Sequence, residues 1–465
     1  MKTTVVPAPS LANCDRLDAW YFISPGAIAS RLLTATKAAG LQTRRLGGPG
    51  GLAEVWMPNR LTQVTAVPGE ASRPYLKPHD LFRYLTNPAD RLSVTRTRDI
   101  EAYEVRRGMI LQTRSGRNLG PGVLVDEYLA DFVVSDDLIR IWVDDSRMRF
   151  YLAAYLLSST GRALLRRDKS GSVIDHLSVS HVAAQEIPLL SSDVFDEISE
   201  TMAEAFLLVE EARLELTEQL RGYEAQLPSP SCSAPGPTGW TVNNTQLLGR
   251  LDAASYDPWI AQIRDEMLAA GGAPVGDHAE VLKPPGRYKT NYVDAAYGLP
   301  FLSGTQILQL EVVNQRYMSP KAFVDADSYK LEPGWSVYQA DGRAQESLGF
   351  PAMVLGDRRG WAASGHVGRL VPRDGTNAGW LWLAVSTWQV QVQLKALASG
   401  SVVDSTFPSD MQSVVLPPAG DVDGDAVTAA WSKFSEARHR KRVALQILDD
   451  ELAALSGVAA DVVGP

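Results

Sequence analysis

The stretch GSVIDHLSVSHVAAQEIPLL, residues 171–190, returns as GSVVDSTFPSDMQSVVLPPA at residues 400–419. Each copy closes on an aliphatic residue and a proline, and each is followed at once by a long charged segment with helical spacing. Other matches keep the same order. RPYLKPHDLF at Arg73 falls on LPFLSGTQIL at Leu299, and YEVRRGMIL at Tyr103 falls on YKLEPGWSV at Tyr329, both at an offset of 226 that pairs Gly108 with Gly334. The Gly-Ser pairs lie 229 apart, and RLDAWYF at Arg16 precedes RLDAASYDP at Arg250 by 234. Small drifts in offset within one fixed order are what insertions in surface loops produce. A tandem duplication therefore constrains the fold: two similar globules, each with a trailing helix. A chain of 465 residues is long enough to bury two cores.

Each copy reads as mixed α+β. Short runs such as GMILQ, GVLVDEYLADFVVS and LIRIWV in the first, and AMVLG and GWLWLAVS in the second, are β-like and bounded by Gly, Pro and Asp turns. Met148 to Arg167 alternates instead on a helical period.

In the first charged segment Phe195, Ile198, Met202, Ala205, Val209, Ala212, Leu216, Leu220, Tyr223 and Leu227 recur at spacings of three and four. Asp193 is suited to cap it and Pro228 to stop it. In the second, Val427, Trp431, Phe434, Arg438, Lys441, Leu445, Leu448, Leu452 and Leu455 hold a four-three alternation with two basic residues mid-seam. The acids Glu204, Glu210, Glu211 and Glu215 are available to those bases. Helices of this size would be about 45 to 52 Å long. Each could serve as a core helix of its own globule, or the two could pair antiparallel as a rod. PSPSCSAPGPTG at Pro228 to Gly239 has the composition of a linker.

The net charge of −9 does not exclude a polyanionic partner, because residues 191–227 carry −8 of it and residues 1–190 carry +5. Two cysteines, Cys14 and Cys232, are too few for a disulfide framework, and the six histidines show no metal-ligand clustering. Neither a bilayer-spanning run nor a signal-peptide core is present, so a cytoplasmic location is expected.

The order globule, helix, linker, globule, helix, carried by RLDAASYDP, GLPFLSGTQIL, the Gly108 and Gly334 strands and the Gly-Ser endings, resembles the specificity subunit of type I restriction-modification systems over nearly the whole chain. The resemblance implies two tandem target-recognition domains in pseudo-twofold arrangement, separated by an antiparallel pair of long coiled-coil helices. It places the domains at 1–190 and 241–420, the helices at 191–227 and 421–456, the linker at 228–240 and a tail at 457–465. It also implies a non-catalytic chain that reads a bipartite, asymmetric site in double-stranded DNA. Methyltransferase subunits, two of them, would dock on helix positions Ile198, Met202, Val209, Leu216, Trp431, Phe434, Leu445, Leu448 and Leu452. Translocase-nuclease subunits would complete the complex, and S-adenosylmethionine and ATP would sit on those partners, with no cofactor, metal or membrane for this chain.

Candidate DNA contacts are polar and basic loop residues: Lys77 and His79; Arg114, Ser115, Arg117 and Asn118; Arg287, Lys289, Thr290 and Asn291; Arg343 and Gln345; Arg358 and Arg359. Arginine suits guanine edges, Asn suits adenine, Lys suits phosphates. No catalytic constellation appears. NPAD at Asn87 lacks the second proline and the aromatic of a base-holding methyltransferase loop, and there is no GxxxxGK(S/T) phosphate cradle. DVDGDA lacks the closing Glu of a calcium loop and is placed to cap the second helix. Two other readings stay open: a recognition subunit of a different phage-defence methylation system, and a protein-binding scaffold.

Overall fold

A computed structural model describes residues 19–60, 62–115, 120–167, 176–229, 239–246, 252–284, 291–322, 327–400 and 403–457. The chain divides into two compact units. The first comprises Met1–Phe82, Asp90–Glu210 and Glu436–Pro465, and the second Arg83–Ala89 and Glu211–Ser435. The division does not follow the order of the repeats. It cuts both long helices and lends seven residues of the first repeat to the second unit. Among the described residues no helix is long and apolar enough to cross a membrane.

The first unit is mixed α and β. Its strands are β1 (Thr43–Arg45), β2 (Glu54–Trp56), β3 (Ser72–Leu76), β4 (Arg91–Ser93), β5 (Ile110–Thr113), β6 (Gly122–Leu124), β7 (Val133–Val134), β8 (Leu138–Trp142) and β9 (Glu186–Pro188). They form sheets in the orders β2-β8-β5-β6, β4-β3-β7 and β1-β9. Helices α1 (Pro25–Ala38), α2 (Ser146–Leu157) and α3 (Ser159–Arg167) cover them. The single periodic run read over Met148–Arg167 is thus two helices, broken at Ser158, whose extended backbone (ψ 164°) ends α2. Two long helices, α4 (Ser192–Glu224) and α8 (Gly424–Ser456), pass through the units. α4 begins one residue before Asp193, which therefore sits in the first turn rather than at the cap.

The second unit repeats this topology and adds three strands. Its strands are β10 (Ala273–Pro274), β11 (Ala279–Leu282), β12 (Tyr292–Val293), β13 (Leu299–Leu302), β14 (Arg316–Met318), β15 (Ser336–Gln339), β16 (Asp341–Gly342), β17 (Pro351–Met353), β18 (Ala362–Ala363), β19 (Val367–Pro372), β20 (Asp404–Ser405) and β21 (Val415–Leu416). The orders β11-β19-β15-β17, β12-β14-β13-β18 and β10-β21 match those of the first unit, with β12, β16 and β20 added. Registers match too. Tyr75 faces Val133 across the parallel β3–β7 pair, and Phe301 faces Ala362 across β13–β18. Leu111 faces Arg140 in one unit and Val337 faces Arg369 in the other. Both arginines are buried and donate to backbone carbonyls, Arg140 to Ala102 O and Arg369 to Tyr329 O and Ala363 O. Before each central strand a turn closes through Met109 N to Arg106 O or Trp335 N to Glu332 O. It puts Gly108 and Gly334 at φ +86° and +85°, a conformation that glycine adopts without cost.

Helices α5 (Pro258–Ala269), α6 (Ala378–Ser386) and α7 (Trp388–Ala396) stand where α1, α2 and α3 stand in the first unit. GWLWLAVS is therefore helix, not strand. Asn377 Oδ1 accepts from Gly379 N and Trp380 N and starts it, and every residue from Gly379 to Ser386 is buried. A short run apolar on all faces does not distinguish a buried strand from a buried helix; the cap does.

The long helices contribute their apolar seams to the two cores. In the first unit Ile198, Met202 and Phe206 join Ala444, Leu448 and Leu452 in one cluster with α2 and β8, with Leu445 partly buried against it. In the second, Trp431 packs on Tyr84, Trp382 and Phe434 at ring distances of 4.8, 5.1 and 5.4 Å. Arg213 holds the borrowed segment there, donating to Tyr84 O (2.9 Å) and Arg83 O (2.6 Å). Lys433 pairs with Glu211 (3.0 Å) and Glu215 (2.5 Å), while Gln219 and Tyr223 face Ala426 and Val427, so the helix ends run antiparallel within this unit. Glu204 binds Arg440, and Glu210 receives Arg107 (2.7 Å) and the Glu127 amide (2.8 Å). Asp423, from DVDGDA, accepts from the amides of Asp425 and Ala426 at the start of α8.

Trp431→Ala should remove the centre of the second core, at a cost of about 3–5 kcal/mol for a buried aromatic truncation. Urea unfolding followed by circular dichroism reads this as a lowered midpoint.

Candidate nucleic-acid interface

In each unit the hairpin after the central strand meets the stretch that carries the Gly-Ser repeat. In the first, β5 runs into Arg114 and Ser115, and Ser115 bridges to His176 while Leu177 N donates to Arg114 O (2.7 Å). In the second, β16 within the β15–β17 connection pairs with β20, Asp341 opposite Ser405 and Gly342 opposite Asp404. Backbone pairing fixes both places, so their side chains are set by strand register.

At the base of the first hairpin Ser115 Oγ donates to Asp137. Arg114 Nε lies 3.6 Å from the same carboxylate, and its Nη1 3.1 Å from Met57 Sδ. At the base of the second, Asp341 is the hub: its carboxylate receives Lys283 Nζ at 2.9 Å and His366 Nδ1 at 2.6 Å, and a hydrogen bond from Ser405. Burial raises the Asp341 carboxyl, but the bonds from Ser405, His366 and Lys283 outweigh it and hold it below the ordinary carboxylate value. Lys283 Nζ also lies 5.9 Å from the exposed Phe407 ring.

The four positions coincide between the units. Met57, Ser115, Asp137 and His176 correspond to Lys283, Asp341, His366 and Ser405, at offsets of 226, 226, 229 and 229 that are the offsets of the surrounding strands. One framework thus presents a half-exposed carboxylate in one unit and an exposed imidazole backed by an ammonium in the other. An imidazole or ammonium donates to guanine edges, and a carboxylate accepts from the cytosine amino group.

The residues singled out from the sequence distribute as follows. Arg114 and Ser115 join the first cluster; Arg343, exposed and 3.4 Å from Glu346, and exposed Gln345 extend from the second. Lys77 and His79 lie on the turn after β3, against Asp90 (2.7 Å) and Asp80 (3.4 Å). Asn291 is exposed before β12, and Arg359 pairs with Glu332 at 2.7 Å. Arg358 is a correction. Only 4% exposed, it donates to Gln309 O and Leu310 O and lies against the Tyr84 and Trp361 rings, so its guanidinium belongs to the core. Arg117, Asn118, Arg287, Lys289 and Thr290 lie outside the described residues. Asp137, Lys283, Asp341 and His366 were missed; carrying the repeat offsets from apolar to polar positions would have paired them.

The helix positions read as docking sites are largely interior. Ile198, Met202, Leu216, Trp431, Phe434, Leu448 and Leu452 are buried, and Val209 and Leu445 partly so. On these helices the exposed large apolar side chains are Leu207, Val443 and Leu455 in the first unit and Leu214 in the second. Among the described residues no group of three or more His, Cys, Asp or Glu is placed to hold a metal ion.

No family model matches the sequence, and no curated protein does. Solved structures do. The chain is similar to the S subunit of a type I restriction-modification system from M. genitalium, with 12% identity over 92% of this chain and 96% of that one and a TM-score of 0.29. It is similar to the HsdS subunit from Thermoanaerobacter tengcongensis, with 14% identity over 89% and 100% and a TM-score of 0.27. A chain from a structure of complex assembly and conformational transition of the type I R-M system matches with 14% identity over 88% and 97% and a TM-score of 0.28.

Because the folded Asp341 carboxyl is held low, its contribution to stability is complete above the unfolded value of about 4 and fades as pH falls through the folded value. The difference in thermal midpoint between the native chain and Asp341→Asn should be full at pH 6 and shrink below about pH 4. A difference independent of pH would contradict this charge-assisted network.

Proposed function

We propose that the chain is the sequence-specific DNA-recognition subunit of a type I restriction-modification complex, non-catalytic itself, reading a bipartite and asymmetric site. The observation that carries the reading is the matched pair of hairpin bases: identical strand register, different hydrogen-bonding chemistry. Duplicated readers with unlike faces suit two different half-sites. Each recognition head would present its hairpin and the adjoining Gly-Ser stretch to a groove, with Arg114, Asp137, His366, Arg343 and Gln345 toward base edges and Lys77 toward phosphate.

The antiparallel long helices would serve as the spacer. Each has 33 residues, hence about 50 Å at 1.5 Å per residue, a length that spans more than one DNA turn of about 34 to 36 Å. Two methyltransferase subunits, and translocase-nuclease subunits beyond them, would dock on this chain in the cytoplasm and supply S-adenosylmethionine and ATP chemistry. Leu207, Leu214, Val443 and Leu455 are the apolar side chains that α4 and α8 offer them.

Sequencing modified bases in genomic DNA from cells with and without the chain tests the reading. The expected result is one methylated motif made of two unlike half-sites and an unread gap, present only with the chain. His366→Ala should relax one half-site and leave the other half-site and the gap length unchanged, at a cost of about 1–3 kcal/mol of discrimination. A methylation pattern identical without the chain would refute the proposal.

A further inference from the structure

The first unit contains a cavity of about 360 Å³ between α1, α3 and α8 that the recognition reading does not use. Four guanidinium side chains line it, Arg162, Arg166 and Arg167 from α3 and Arg442 from α8. Pro25, Leu157 and Leu445 give it an apolar wall. The carboxylate that faces it, Asp449, is already engaged: Oδ2 accepts from Ser159 N (3.1 Å) and Oγ (2.8 Å), and Oδ1 from Thr160 Oγ1 (2.7 Å) and N (3.4 Å).

The second unit shows that the fold does not require this arrangement. Ser159 corresponds to Trp388, whose ring stacks on Trp259 at 5.9 Å with planes 15° apart. Arg162, Arg166 and Arg167 correspond to Gln391, Lys395 and Ala396, and Arg442 to Thr217. One copy of the framework thus fills the place with indole, and the other leaves it open and ringed with guanidinium. Gly26 fixes the floor of the open copy, since an added Cβ would run into Ala163 O and Arg167 Cβ and push α1 from α3.

Space for a planar ring against an apolar wall, beside donor forks that match phosphate oxygens, defines a ligand chemistry. We propose that this cavity binds a free nucleoside diphosphate, the base against the Pro25, Leu157 and Leu445 wall and the phosphates on the arginines. The size lies within the roughly 300–1,000 Å³ range of small-molecule sites. The proposal does not depend on the DNA-recognition reading.

Isothermal titration of the full-length chain with ADP, with pyrophosphate and with adenosine tests it. ADP should saturate one site with a dissociation constant below about 1 mM, and pyrophosphate and adenosine should each bind at least about tenfold more weakly. Ser159→Trp, which imports the second unit's own solution, should weaken ADP at least about tenfold, and so should Arg442→Glu at an exposed position. Should Ser159→Trp fail to fold, as judged by circular dichroism, Arg442→Glu decides alone. Absence of saturation by ADP, or unchanged ADP affinity in a folded variant, overturns the proposal.

Discussion

In both units the amide donors that open a buried helix are satisfied by a carboxylate from the far end of a long helix. Asp449 receives Ser159 and Thr160 at the start of α3, and Glu224 receives Trp388 N (2.8 Å) at the start of α7. The first donors of a helix have no partner within it, and leaving them buried and unmet would be costly. The two caps are equivalent in place but crossed in sequence, since α4 closes the second unit and α8 the first. Around Glu224, Tyr223 adds its hydroxyl, which donates to Pro418 O (2.8 Å), receives Trp380 Nε1 (3.1 Å) and is pushed by burial up to about 12.

With the helix layer fixed in this way, the sheets need only carry the hairpins to a defined place, and the two units do so with one plan. Arg140 and Arg369 occupy the same register position, and each ties a central strand to the segment beside it through carbonyl oxygens. Ser158 and Thr387 break the helix pairs in the same way, each hydroxyl donating to the carbonyl three residues back. Such positions preserve the scaffold. The hairpin base is free to vary because its side chains meet solvent and one another, and there serine and aspartate stand opposite aspartate and histidine in exchanged roles.

Much of this was legible in the sequence. The duplication, the mixed α and β content and the extent of both long helices followed from offsets, turn residues and three-four spacing, signals that depend on local pattern. What escaped reading depends on partners distant in the chain. GWLWLAVS is helical because Asn377 caps it inside an apolar surround. Arg358, in a run that resembles an exposed basic loop, is interior because two carbonyls and two rings lie within its reach. The polar hub at Asp341 is assembled from β11, β15–β17 and β19–β20 neighbours spread over more than a hundred residues, and no single window contains it.

The sharing of α8 has a consequence for how the molecule is made. Ala444, Leu448 and Leu452, together with the Asp449 carboxylate, belong to the interior of the first unit, yet in the chain they come after the whole of the second repeat. The nascent first repeat therefore emerges with an open apolar groove along Ile198, Met202 and Phe206. It stays incomplete until the second repeat and α8 have been made, so maturation of the first repeat waits on synthesis of the second.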